Sequence, residues 1–130
     1  MIRCSEFLRL KFRARELDPS TGFVNCLGGA MCVFRKLGWS TDSLKPSALC
    51  PTGRSIEDSA WERIGSEACS AKEDGDLILS GPLVRPHVEV LVDFHLGLAF
   101  SVLEQTGAMV RSVSEIRAVR GVYRLRKEYR

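Results

Sequence analysis

The hexapeptide HVEVLV, residues 87 to 92, restricts the possible folds of this chain more than any other stretch. Val88, Val90 and Val92 alternate with His87, Glu89 and Leu91, and β-branched residues recurring at a period of two mark a strand with one strongly apolar face. After a turn at Asp93 to Gly97, LAFSVL at 98 to 103 continues as a second strand. If Val92 stands opposite Leu98, the register sets Glu89 opposite Ser101, and both share the His87 face. The valine face has to enter a core, so His87, Glu89 and Ser101 converge on the other side of the same hairpin.

Three more runs extend this pattern. Asp74-Gly75-Asp76 is a turn signal ahead of the apolar Leu77-Ile78-Leu79, which Gly81-Pro82 closes. AMVRSV at 108 to 113 and GVYRLR at 121 to 126 supply further strands. Upstream the period changes: from Cys26, the residues Leu27, Ala30, Met31, Phe34 and Leu37 recur at intervals of three and four, and Gly38 stops the helix. A short amphipathic helix is expected from Cys4 to Lys11, before a turn built by Asp18, Pro19, Ser20 and Gly22. Residues 40 to 55, with Pro46, Pro51 and Gly53, read as a loop, and Ile56, Ala60, Trp61, Ile64 and Ala68 place one stripe on another helix. Helices followed by strands predict an α+β domain, with N-terminal helices packed on a largely antiparallel five- to six-stranded sheet.

At 130 residues and 45% hydrophobic, the chain fits a single domain over 1–130. A net charge of +3 does not call for a nucleic-acid partner. The basic end, with Arg117, Arg120, Arg124, Arg126, Lys127 and Arg130, reads as a solvated face or fraying tail. Arg3, Glu6, Arg9, Lys11 and Arg13 interrupt the N-terminal apolar residues, so no signal peptide is expected, and no run is long enough for a membrane span. Cys4, Cys26, Cys32, Cys50 and Cys69 are odd in number and follow no framework spacing, which points to reduced thiols and cytoplasmic assembly. With no paired-cysteine motif and only His87 and His95 as imidazoles, neither a metal site nor a cofactor is expected.

The segment RARELDPSTGFVNCLGGAMCVFRKLG resembles the surroundings of the nucleophile in NlpC-type cell-wall cysteine peptidases, above all the version found in tailed phages and phage-like particles. The pieces that match are Asp18-Pro19, Gly22-Phe23, Cys26, Gly28 and Arg35-Lys36-Leu37-Gly38. EDGDLIL is similar to that family's Gly-Asp strand start and HVEVLV to its histidine strand, while AFSVLEQTGAMVRSVSEI and GVYRLR match more loosely. The order covers nearly the whole chain. The resemblance implies a papain-like domain that hydrolyses peptidoglycan stem peptides, commonly the γ-D-glutamyl to diaminopimelate link. It also implies Cys26 as nucleophile, His87 as general base and acid, and Ser101 at the position of the third, orienting residue.

Three residues depart from the family. Asn25 stands where Asp is usual, Glu89 replaces a small Gly, and Ser101 replaces the usual His or amide. Glu89 either crowds the cleft or takes over the orienting role. Independently of the family, a thiol at the first turn of a helix meets unpaired N–H groups that favour thiolate and can contribute to an oxyanion hole, and a nearby imidazolium stabilises thiolate further. Cys4 and Cys32 read as small buried apolar side chains, and His95 as an exposed turn residue. Gly22 shapes the turn, and Gly28 is expected to leave room above the thiol.

Three functions follow from these readings. The first is a thiol protease, a virion component of a phage or phage-like tail that degrades cell wall during penetration, with other tail-tip or hub proteins as partners. The second is a catalytically degenerate NlpC-fold subunit or assembly adaptor of the tail tip. The third is an amidase or acyltransferase of the same class acting on another acyl substrate.

Overall fold

Alternating residues with one apolar face must pair laterally and bury that face, and five of the runs read as strands do so here. In a computed structural model that describes residues 1–40, 61–82 and 85–130, the described residues form an α+β fold with one α-helix on a six-stranded antiparallel sheet. The strands are β3 (Trp61–Gly65), β4 (Leu77–Ser80), β5 (His87–Asp93), β6 (Leu98–Leu103), β7 (Gly107–Ser112) and β8 (Val119–Leu125). Their order across the sheet is β3-β8-β4-β5-β6-β7. Two short strands, β1 (Lys11–Phe12) and β2 (Phe23–Val24), form a separate parallel pair.

Helix α1 (Cys26–Lys36) lies against the face carrying Leu77, Leu79, Val88, Val90, Val92, Phe100 and Val102, where Phe34 and Val33 complete the core. It can approach because Gly29 faces the strands: a Cβ there would stand 2.6 Å from Val102 Cγ2 and 3.3 Å from Phe100 Cε1. Gly28 serves the loop rather than the thiol, since its Cβ would meet Glu16 O and Val24 Cβ, each at 3.0 Å. The room expected above Cys26 is therefore not what Gly28 supplies. The opposite sheet face carries a smaller cluster of Ile78, Ala99, Ile116 and Val122.

The hairpin of β5 and β6 pairs Val90 with Phe100 and Leu91 with Ala99, the register read from the alternation. Near the turn Asp93, not Val92, stands opposite Leu98, because the register shifts between Leu91 and Asp93. The shift takes up one residue and leaves the pairing further along unchanged.

Two expected helices are absent among the described residues. The segment from Cys4 to Lys11 contains only a 3-10 turn at Ser5–Phe7 and then enters β1. The segment is instead tied to the sheet: Ile2 N donates to Val92 O, and Leu10 O accepts from Ala108 N. The second expected helix is strand β3, followed by a 3-10 turn at Ala68–Ser70; residues 56 to 60 lie outside the described residues. Trp61 and Ile64 are spaced as on a helix, but β8 presents an open edge whose backbone groups need partners, and Trp61 fills the core beside Phe34. The loop read at 40 to 55 falls almost entirely outside the described residues, as does Cys50.

The basic C-terminal end is largely the solvated face expected, with Arg117, Arg120, Arg126, Lys127 and Arg130 exposed, but it is not a fraying tail, because Val119–Leu125 forms β8. Arg124 makes two hydrogen bonds of 2.9 Å to Asp76, which is 1% exposed. Asp76 Oδ2 also accepts from Lys72 N and Glu73 N, so this carboxylate fixes the turn that launches β4. Arg130 lies over the Trp39 ring, 4.9 Å from its centroid.

Candidate active site

Local sequence explains why Cys26 begins a helix. Gly22 takes φ of 83° to end the turn at Pro19–Thr21, β2 follows, and Asn25 then adopts an extended conformation as N-cap. Its side-chain oxygen accepts from Gly28 N at 2.7 Å. Asn caps as well as Asp does, without setting a negative charge beside the neighbouring thiol. Cys26 occupies the first helical position. The backbone N–H groups of Val88, Leu27 and Cys26 itself lie against the sulfur and favour thiolate, whereas burial and the Glu89 carboxylate oppose it. Burial wins, so the thiol stands above its ordinary pKa. The helix start alone does not hold a thiolate here, contrary to the simplest expectation from its position.

His87 opens β5, and β6 supplies its partner: Ser101 Oγ lies 2.7 Å from His87 Nε2. Glu89 Oε2 stands 3.6 Å from the same nitrogen. Burial lowers the imidazole pKa, the Glu89 carboxylate raises it and Arg111 lowers it, with burial dominant. At neutral pH the resting pair is therefore a thiol and a neutral imidazole.

Cys26 and His87 line one groove of about 700 Å³ together with Asn25, Phe12, Arg15 and Arg85. Glu89 does not crowd it. Its side chain is fully buried and accepts from Arg111 Nε at 2.8 Å and Nη2 at 2.7 Å. Arg111 stands opposite Ala99 on β7 and crosses β6 to reach that carboxylate. The structure thus brings Cys26 and His87 to one groove, seats Ser101 on His87, makes Asn25 a helix cap and buries Glu89 beneath the histidine.

Arg111 is a participant that sequence reasoning missed. The available signal was Glu89 itself: a carboxylate in a strand flanked by valines must find a cation. Of the remaining candidates, Cys4 and Cys32 are buried, with burial raising the Cys4 thiol to about 11, and Cys69 is exposed. His95 is exposed in the turn and packs on Phe94. Among the described residues, no group of three or more His, Cys, Asp or Glu could hold a metal ion, and no helix is long and apolar enough to cross a membrane.

Comparison with known proteins adds no assignment: no protein-family model matches the chain, and no curated protein matches it either.

Proposed function

We propose that this chain is a papain-like cysteine peptidase of the NlpC type that cleaves peptidoglycan stem peptides, working as part of a phage or phage-like tail with other tail-tip or hub proteins. The observation that carries the reading is the shared groove of Cys26 and His87, in which Ser101 holds His87 Nε2 at 2.7 Å. That contact leaves Nδ1 as the nitrogen for proton exchange. The stem peptide and the tail location rest on the sequence resemblance; the arginines Arg15 and Arg85 at the groove also suit a substrate with free carboxylates.

Because both members rest uncharged, chemistry begins with proton transfer coupled to attack. Nδ1 of His87 takes the proton of Cys26 Sγ as sulfur bonds to the scissile carbonyl carbon. The tetrahedral oxyanion is stabilised by backbone N–H groups at the start of α1. Collapse breaks the C–N bond, and the imidazolium returns its proton to the departing amine. Water then attacks the thioester, losing its proton to His87, and the acid product and the Cys26 thiol are released.

Incubation of purified protein with peptidoglycan or a stem tetrapeptide tests this. Fragments should appear with wild type and be lost with Cys26→Ala and His87→Ala; equal release by wild type and Cys26→Ala would remove Cys26 from the mechanism. Asn25, Glu89 and Ser101, in place of the family's usual residues, favour a second reading, a degenerate structural subunit of the tail tip, and the burial that raises the Cys26 thiol agrees with it. Under that reading Cys26→Ala particles remain fully infectious and deletion of the protein blocks assembly.

A further inference from the structure

A fully buried carboxylate is costly unless it is paired, and the Glu89–Arg111 pair occupies the sheet face directly beneath the histidine. We propose that this pair is the positioning device for His87: the Glu89 carboxylate, 3.6 Å from Nε2, keeps that nitrogen protonated and donating to Ser101 Oγ, so that the lone pair lies on Nδ1. The inference rests on the peptidase reading for its catalytic consequence, but its structural content is independent of any substrate.

A serine hydroxyl can accept from Nε2–H or donate to a bare Nε2, so Ser101 alone does not select a tautomer. An anion facing Nε2 does, because it favours a hydrogen there and disfavours a lone pair. At 3.6 Å the contact is too long for a hydrogen bond and short enough for direct Coulombic attraction. Arg111 fixes the carboxylate through two parallel bonds, so Glu89 cannot rotate towards the groove. It also tempers the attraction, since its own charge opposes imidazolium.

The charged and titratable groups around His87 come from several elements. Glu89 lies on its own strand, Arg111 on β7 and Cys26 on α1, while Arg15, Arg85 and Glu104 line the groove. Of these, Glu89 raises the imidazole pKa and Arg111 lowers it.

The test is nitrogen-15 NMR of the imidazole in the full chain, as wild type, Glu89→Gln, and a double Glu89→Gln/Arg111→Gln variant. The double variant removes both charges together and so avoids leaving a cation unpaired in the interior. Wild type should show protonated Nε2 and unprotonated Nδ1 above the imidazole pKa. Glu89→Gln should lower that pKa, and both variants should populate the other tautomer. With a stem tetrapeptide, the double variant should lose about tenfold in kcat, the loss expected when the reactive tautomer falls to roughly a tenth of the population, with KM nearly unchanged.

Wild-type tautomer and pKa retained in a folded double variant would overturn the proposal, even with hydrolysis intact. A wild type that shows the stated tautomer but cleaves no stem peptide would sink the peptidase reading and leave the positioning role standing. If the double variant fails to fold, Glu89→Met/Arg111→Met, which replaces both charges with apolar side chains, decides by the same readout: the wild-type tautomer retained in that variant refutes the arrangement.

Discussion

Gly29→Ala should destabilise the fold although alanine is the better helix former. The new Cβ would lie 2.6 Å from Val102 Cγ2, and since carbon atoms prefer about 3.5 to 4.0 Å, helix or strand must give by roughly 1 Å. Little can move: Val102 is a β-branched residue with no exposed surface on a strand paired on both sides, and Phe100 beside it is 1% exposed. Overpacking of this kind costs about 1–3 kcal/mol, and the constraint on both neighbours argues for the upper half. Alanine returns about 1 kcal/mol of helix propensity. The net is a loss of about 1–2 kcal/mol, or roughly 4–8 °C in Tm for a domain of this size. Urea denaturation should show a lower midpoint at unchanged slope, and Val102→Ala in the same chain should recover part of the loss, giving a favourable coupling between the two sites. Stability at or above wild type in Gly29→Ala would mean that α1 does not sit on β6 at this distance.

Asp76→Asn should cost about 2–4 kcal/mol, because it breaks a buried carboxylate pair with Arg124 while keeping the side chain's size; chemical denaturation measures it. The folded-state pKa of His87 is depressed below 6.5, so unfolding takes up a proton as pH falls. The stability from this group is present above its unfolded pKa and lost as pH drops through the folded one, and His87→Asn should remove that segment of the acid limb. Alkylation of Cys26 by iodoacetamide should accelerate with pH beyond the range of an ordinary thiol, since burial keeps the sulfur protonated. A rate that plateaus by neutral pH would show a preformed thiolate–imidazolium pair instead.

Where each residue's local environment sets its structure, the sequence was legible. Val88, Val90 and Val92 announced the core face of β5, the spacing from Cys26 to Leu37 announced α1, and the alternation set Val90 against Phe100. Trp61 and Ile64 misled because three-residue spacing fits a helix, while the open edge of β8 that recruits them lies about sixty residues away. Cys4 to Lys11 misled in the same way: its backbone is claimed by the sheet, with Leu10 O bonded to Ala108 N and, just upstream, Ile2 N bonded to Val92 O. The site divides along the same line. Cys26, His87 and Ser101 could be placed from local grammar and resemblance, but Arg111 reaches Glu89 across an intervening strand, a contact visible only once three strands are in register.

The most direct test of the account is the intact mass of the protein quenched in acid during turnover of a stem tetrapeptide. A Cys26–His87 peptidase predicts a transient adduct of the acyl fragment, mapped by digestion to the peptide containing Cys26 and absent from Cys26→Ala. Product formation without that adduct in the pre-steady state, or an adduct that maps to Cys32 or Cys69, would contradict it.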